Sequence, residues 1–184
     1  MTGRASHLGL AAAFLVQAAL LAWLIVDRAL VLARGTEIRL AAVPVDPRDL
    51  FRGDYVVLSY PISSLRSDQL DAADEFSVGQ TAYVSLRNDA GDWKAVAARR
   101  NRPDGGPVLK GRVAGSSSCG GSCRAYRVEY NLEKFFVPEA KGREIERLRN
   151  DRRVQVDVAV SSTGRAALKR LLVDGAVRYE DTLF

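Results

Sequence analysis

Side chains that could carry out chemistry are few in this sequence and lie far apart. Its one histidine, His7, precedes a long apolar run, so neither a histidine base nor a multi-histidine metal site is expected. Carboxylates remain as acid–base candidates, because a pair of acids can move protons or bind calcium. Five candidates lie in the two most distinctive segments, residues 46–62 and 129–146: Asp46, Asp49, Asp54, Glu133 and Glu139. Their spacing fits no EF-hand loop and aspartate is common in surface turns, so we expect no catalytic residue, no metal and no cofactor.

The segment RGDYVVLSYP resembles a strand of signal-peptidase-like β folds, and this resemblance implies a serine–lysine hydrolase. Such an enzyme needs a serine nucleophile just beyond the membrane and a lysine base downstream. No serine lies between residues 35 and 52, and the first lysine is Lys94. A membrane-anchored hydrolase is therefore only an alternative. It predicts a cleft in which a basic group meets one of three side chains: Asp54, Glu133 or Ser59.

Two cysteines, Cys119 and Cys123, lie in the glycine- and serine-rich segment SSSCGGSCR, which is expected to form a loop. The three residues between them do not give the CxxC spacing of redox motifs, and two thiols alone make a poor zinc site. A disulfide would close a very small ring and stabilise the fold by about 2 kcal/mol. We expect this disulfide, which persists in oxidising compartments. Two free thiols and redox or metal chemistry are the alternatives.

An apolar run near the amino terminus predicts a membrane-spanning helix. In residues 8–26 only Gly9 and Gln17 fall outside the apolar class, and none is charged. At about 1.5 Å per residue the run covers about 28 Å, close to the hydrocarbon thickness of about 30 Å. Trp23 lies near one end, where an indole suits the lipid headgroups. A buried core helix and a secretory signal cleaved after residues 31–33 are the alternatives.

The charges around the span leave its orientation open. One arginine precedes it and three follow within residues 27–39, which by the positive-inside rule favours a cytoplasmic carboxyl terminus. The cysteine pair favours the opposite side, and a long domain crosses the membrane despite a few nearby arginines. We expect residues 1–33 to form a transmembrane anchor and residues 34–184 to form one domain outside the cytoplasm.

This domain is close to electrically neutral. Removing Arg4, Arg28 and Asp27 with the anchor leaves 25 basic and 21 acidic residues among its 151 residues. We therefore expect no nucleic-acid partner. Basic residues still cluster at Arg99, Arg100, Arg102, Lys110 and Arg112, and again in residues 141–153. We interpret most of them as solvated faces, with contact to anionic lipid headgroups or an acidic partner as the alternative.

Short runs of alternating apolar residues predict a mainly β domain after the anchor. Turn sequences such as Asn88-Asp89-Ala90-Gly91 separate many of the runs. The nine predicted strands cover residues 37–43, 54–62, 81–87, 93–99, 108–113, 125–131, 153–160, 166–173 and 176–179. Two segments are predicted as short helices, residues 64–76, with Ser67 as a cap, and residues 138–149. The expected fold is a β-barrel or sandwich ectodomain with two short helices, standing on one N-terminal transmembrane helix.

Two segments carry a family resemblance. The first, DPRDLFRGDYVVLSYPI at residues 46–62, resembles the signature of the GDYXXLXY family, and its five lettered positions are filled by Gly53, Asp54, Tyr55, Leu58 and Tyr60. The second, EYNLEKFFVPEAKGREIE at residues 129–146, is similar to a later family segment at Tyr130, Glu133, Phe136, Val137, Pro138, Glu139 and Gly142. Asn131 and Ala140 stand where glycine is expected in relatives, so the local turns are expected to differ.

The resemblance implies a bacterial, membrane-associated protein of unassigned biochemical role, often encoded beside multispanning membrane proteins. It supplies no catalytic residue. We expect an accessory or assembly subunit that contacts the lipid bilayer and a multispanning partner, in the inner membrane with its domain in the periplasm or outside. A hydrolase and an envelope sensor or ligand-binding module are the alternatives. We expect the structural core and partner-facing edge to include Tyr55, Leu58, Tyr60, Phe135, Phe136 and Glu139.

Overall fold

One long helix and twelve strands make up the part of the chain that the computed structural model describes, residues 3–45, 55–136 and 154–180. The helix is α1, Gly3–Arg34. The strands are β1 Thr36–Val45, β2 Tyr55–Ser59, β3 Ser64–Arg66, β4 Ala72–Ala73, β5 Thr81–Asp89, β6 Asp92–Arg99, β7 Val108–Gly120, β8 Cys123–Glu129, β9 Lys134–Phe136, β10 Val154–Val160, β11 Ala166–Val173 and β12 Ala176–Glu180. Two single 3-10 turns, Pro61–Ser63 and Ser67–Gln69, flank β3.

Helix α1 is apolar, and most of its length is exposed and not packed against the sheets. Its segment Gly9–Arg34 is long enough to cross a membrane and has a mean hydropathy of 2.3, and none of its most apolar stretch is buried. A buried core helix, one of the alternatives drawn from the sequence, does not fit this exposure. The helix also continues two turns beyond residue 26, as far as Arg34.

The strands form two six-stranded sheets that pack face to face and do not close into a barrel. Sheet 1 has the order β12-β11-β10-β1-β2-β9, and sheet 2 has the order β3-β8-β7-β5-β6-β4. Every pairing between described strands is antiparallel except that of β4 with β6. The prediction of a mainly β domain behind one apolar helix is therefore confirmed, and the arrangement is a sandwich.

The core lies between the sheets and follows the period of two expected for strands. On β1 the buried side chains are Ile38, Leu40 and Ala42, and they face inward beside the alternate valines of β10. The core of sheet 2 includes Ala82, Val84, Leu86, Ala98, Leu109, Val113, Tyr126 and Val128. Burial of this apolar surface is the main force that holds the sandwich together.

The short helix predicted at residues 64–76 is wrong. That segment forms β3, a 3-10 turn and β4, and its backbone pairs with neighbouring strands, since Asp71 N donates to Val96 O over 2.8 Å and Asp74 N donates to Ala98 O over 2.9 Å. Pairing with β6 satisfies backbone groups that an isolated polar helix would leave to water. Ser67 caps no helix, because its Oγ accepts a hydrogen bond from Arg124 N. The other predicted helix, residues 138–149, lies outside the described residues.

The cysteine segment continues as strand instead of forming a loop. Strands β7 and β8 meet in a tight hairpin, and a disulfide joins Cys119 to Cys123 with their Cα atoms 5.1 Å apart. Gly120 and Gly121 both have positive φ, which glycine adopts at little cost, so they allow the chain to reverse within this small ring.

The helix is joined to sheet 1 with one residue between them. Gly35 N donates to Val31 O over 2.9 Å, and a Cβ at Gly35 would lie 2.5 Å from that oxygen and 2.9 Å from Val160 N. Beside this junction Val31 packs in a small apolar cluster with Ala159 of β10 and Ala167 of β11. The last turn of α1 is therefore packed directly on the outer face of sheet 1.

Candidate functional site at the two motif segments

The two family segments are neighbours in sheet 1 although they are far apart in sequence. Strand β2 pairs with β9 through Tyr55 opposite Phe136 and Val57 opposite Lys134. Leu58 N then donates to Glu133 O over 2.7 Å, which extends the contact past the end of β9. Backbone pairing therefore brings the first segment beside the second.

Two buried tyrosines bind the segments together in both directions. Tyr60 of the first segment donates from its hydroxyl to Leu132 O of the second over 2.7 Å. Tyr130 of the second segment donates from its hydroxyl to Ile62 O of the first over 2.7 Å. Both residues are at most 3% exposed. We call this reciprocal pair of hydrogen bonds the tyrosine clasp.

The turn after Tyr130 depends on a residue that differs from the family pattern. Asn131 has φ of +63°, in the left-handed region that glycine and asparagine tolerate best. Asparagine at this position therefore keeps the backbone conformation expected of glycine. The turn is fixed further because Glu133 Oε1 accepts a hydrogen bond from Tyr130 N over 2.6 Å.

The clasp hydroxyls are neutral donors and not acid–base catalysts. Burial raises the pKa of Tyr60 and of Tyr130, and the nearby Glu133 carboxylate raises both further. Each phenol therefore keeps its proton through the physiological range and uses it to satisfy a buried carbonyl. The chemistry of the clasp is structural, since a tyrosine with its only proton committed to a backbone oxygen has none to exchange.

A cleft of about 420 Å³ opens beside the clasp. Its walls include Ser59, Arg127 and Glu133, which is the kind of convergence that the hydrolase alternative predicts. The acid is already engaged by Tyr130 N, and within the described residues no hydrogen bond activates Ser59. One hydroxyl in the wall, Ser63 Oγ, is buried and has no hydrogen-bond partner among the described residues. These contacts supply no activated nucleophile.

A second groove, of about 370 Å³, lies between β1, β3 and β6. Its floor is apolar, with Leu40, Ile62, Leu65 and Trp93 among the lining residues. The two cations at its rim are paired: Arg66 with Asp68 over 2.8 Å, and Lys94 with Asp89. A concave apolar surface of this type is what a ligand-binding module would need.

Sequence reasoning missed a buried carboxylate on the outer face of sheet 1. Asp157 is 3% exposed, and its oxygens accept hydrogen bonds from Arg39 Nε over 2.8 Å and Arg170 Nε over 3.0 Å. This carboxylate raises the pKa of Arg39 through that hydrogen bond. Glu37 pairs in turn with Arg170 and with Lys169. The signal was Asp157 itself, a single acid within the apolar strand VQVDVAV.

The remaining predicted site residues divide according to what the structure describes. Leu58 and Tyr60 are buried, so their side chains pack in the core. Tyr55 and Phe136 are placed by their backbone pairing alone. Four more lie outside the described residues: Gly53, Asp54, Pro138 and Glu139.

Comparison with known proteins agrees with the motif geometry. No curated protein and no solved structure matches the chain. The sequence model of the GDYXXLXY protein family matches residues 17–171, a stretch that runs from the second half of the apolar span to β11 and contains both clasped segments. The chain therefore belongs to the GDYXXLXY protein family.

Proposed function

We propose that this protein is a single-pass, membrane-anchored accessory or assembly subunit of a multispanning membrane protein, and that it acts by binding and not by catalysis. The observation that carries the proposal is α1: its apolar length is fully exposed, yet its end is packed onto the sandwich. A helix whose apolar window is exposed among the described residues, and whose end is fixed to a folded domain, suits a subunit that docks within a membrane.

Gln17 supports a helical partner inside the bilayer. It lies in the middle of the uncharged run and is exposed. An amide in hydrocarbon gains from a hydrogen bond across a helix–helix interface, of about 0.6 to 2 kcal/mol. We expect that bond to come from a helix of the multispanning partner.

Crosslinking in native membranes tests this proposal. A photo-reactive residue at Gln17 should form an adduct with a multispanning protein, identified by mass spectrometry after isolation in mild detergent. The same residue at Ala19, about 200° around the helix, is the matched control and should give much less adduct. Recovery of the Gln17 variant only as a lone monomer would count against the subunit.

The disulfide supports a domain on the periplasmic side of a bacterial inner membrane, because such bonds persist in oxidising compartments. Reduction with a membrane-impermeant phosphine, followed by an impermeant maleimide, tests the orientation in intact spheroplasts. We expect Cys119 and Cys123 to be labelled before lysis. Labelling only after lysis would place the domain in the cytoplasm.

The apolar groove favours a second candidate function, binding of a small apolar ligand by a membrane-anchored sensor. Trp93 and Leu65 form part of that groove. Native mass spectrometry of protein released from mild detergent would detect such a ligand. Ala41→Phe places a larger side chain at the groove, so loss of the bound mass in that variant would support the role, and an empty wild-type protein would argue against it.

A further inference from the structure

The turn between β10 and β11 lies beside the helix where the apolar run ends. Arg165 of this turn donates hydrogen bonds to both carboxylate oxygens of Asp27, with 2.6 Å between Nη2 and Oδ1. Asp27 directly follows the uncharged residues 8–26. Because that run rises about 28 Å and the hydrocarbon layer is about 30 Å thick, Asp27 falls at the edge of the layer.

The turn is held firmly at this depth. Ser161 N donates to Arg165 O over 2.8 Å and Gly164 N donates to Ser161 O over 2.9 Å, so the turn is braced internally. The contact of Val31 with Ala159 and Ala167 fixes both flanking strands against the helix. The helix therefore sets the depth of the turn in the membrane.

Hydrogen-bond donors and cations are among the groups exposed at this end of the sandwich, while the nearby acids Asp27 and Glu37 are paired with basic side chains. Ser162 and Thr163 are exposed at the tip, and the side chain of Arg165 is 52% exposed despite its pairing with Asp27. Lys110 lies alongside, because its backbone N donates to Gly164 O over 2.7 Å. Its exposed ammonium makes no ion pair with any described residue. Lipid phosphates are acceptors that match these donors.

We propose that residues 161–165 and Lys110 lie in the headgroup layer and bind the phosphates of anionic lipids. The layer is about 5 to 8 Å thick on each side of the hydrocarbon, so a turn bonded to Asp27 lies within it. The inference rests on the proposed membrane anchoring. It adds that the end of the sandwich that carries the β10–β11 turn faces the bilayer.

Depth-dependent quenching tests the inference in the full chain. Because Cys119 and Cys123 are bonded to each other, Ser162→Cys introduces the single free thiol for a fluorescent label. The labelled protein is reconstituted in phosphatidylcholine vesicles with or without phosphatidylglycerol, and quenched by a lipid spin-labelled at its headgroup. Ala90→Cys is the control: its turn lies at the other end of β10, where Asp92 contacts Gln155.

We expect several-fold stronger quenching at residue 162 than at residue 90, and a further increase with phosphatidylglycerol. Equal quenching at the two positions, in protein that floats with the vesicles, would overturn the inference and leave the anchoring intact. Protein that does not float would overturn the anchoring and the inference with it.

A charge variant separates phosphate binding from simple proximity. Lys110→Gln should reduce the effect of phosphatidylglycerol on the label at residue 162. Lys134→Gln is the matched control, because Lys134 pairs with Val57, which lies opposite Val45 at the far end of β1. An unchanged response in Lys110→Gln, or an equal loss in both variants, would overturn the role of Lys110.

Discussion

Two single residues, Tyr60 and Tyr130, hold the two family segments together. Each hydroxyl satisfies a carbonyl of the other segment, 72 and 68 residues away along the chain. A buried carbonyl that loses its donor costs more free energy than the hydrogen bond itself contributes. The tyrosines therefore hold one motif strand against the other at a depth where water cannot replace them.

We predict that Tyr60→Phe and Tyr130→Phe each lower the free energy of unfolding by about 1 to 3 kcal/mol, because each leaves a buried carbonyl unsatisfied. Equilibrium urea unfolding in detergent, followed by circular dichroism, measures the change. Tyr83→Phe is the control, since the Tyr83 hydroxyl makes no hydrogen bond among the described residues. An effect at Tyr83 as large as at the clasp would contradict the explanation.

The clasp also predicts how stability depends on alkaline pH. The pKa of each clasp tyrosine is raised in the folded protein, whereas in the unfolded chain it lies near 10. Above about pH 10 the unfolded state releases protons that the folded state keeps, so the free energy of unfolding falls by up to about 1.4 kcal/mol per pH unit for each tyrosine. Below that pH the clasp contributes no slope.

Urea unfolding at several values above and below pH 10 measures this slope. The double variant Tyr60→Phe/Tyr130→Phe should be less stable at neutral pH but should lose stability less steeply in alkali. If the double variant and the wild type fall in parallel, the clasp is not the source of the alkaline sensitivity.

The five lettered family positions could be recognised from sequence, but their roles could not. Alternation placed Leu58 and Tyr60 on one face of a strand, and both are buried. The acceptors of the clasp are backbone carbonyls in distant turns, and no local pattern identifies such a partner. The ion pairs of Asp157 could not be predicted for the same reason, because its two arginine partners lie on different strands.

At the scale of elements, the junction of α1 with β1 determines how the sandwich is oriented relative to the helix. Gly35 is the one residue between them, and its missing side chain lets the helix end approach the backbone of β10. The chain has no linker here, so the sandwich and the helix move together. The sequence shows the end of the apolar run clearly, but not this close approach, which depends on a strand more than a hundred residues later.

We predict that Gly35→Ala lowers the free energy of unfolding by about 1 to 3 kcal/mol, because its Cβ would overlap Val31 O and Val160 N. Loss of amide protection in β1 and β10, measured by hydrogen exchange, would locate the damage at the junction. Gly9→Ala is the matched control, with nothing within 4 Å of the added Cβ. Equal effects of the two substitutions would refute the proposed contact.

Element types were easier to predict than their extents. The strands with clear alternation were found, whereas β3, β4 and β9 were missed because two or three residues carry no readable period. The polar pattern of residues 64–76 predicts a helix, but the segment pairs with β6 and β8 instead. Tertiary contacts decide that pairing, and the local sequence does not show them. The glycine and serine content of residues 115–122 suggested a loop, although the backbone there continues as a hairpin.

For the molecule as a whole, the sandwich carries most of the stability and the disulfide adds a local constraint. Cys119 and Cys123 close a ring of very few residues at the tip of one hairpin, away from the core. Such a ring removes little entropy from the unfolded chain. The bond is therefore more informative about compartment than about folding.

We predict that the double variant Cys119→Ser/Cys123→Ser remains folded and loses about 2 kcal/mol or less of unfolding free energy. Urea unfolding compared with that of the oxidised, disulfide-bonded wild type measures the loss. Reduction should shift the wild-type transition and leave the variant unchanged. Collapse of the variant to an unfolded chain would show that the hairpin is essential to the sandwich.

The order of strands in sheet 1 has a consequence for biosynthesis. Strand β1 leaves the ribosome soon after the helix, but its neighbour β10 and the surface that receives the helix end are made more than a hundred residues later. Long-range pairing of this kind delays folding and leaves apolar edges open. A nascent chain that still lacks β10 cannot close this sheet, so the sandwich completes its folding only after β10 and β11 have been made.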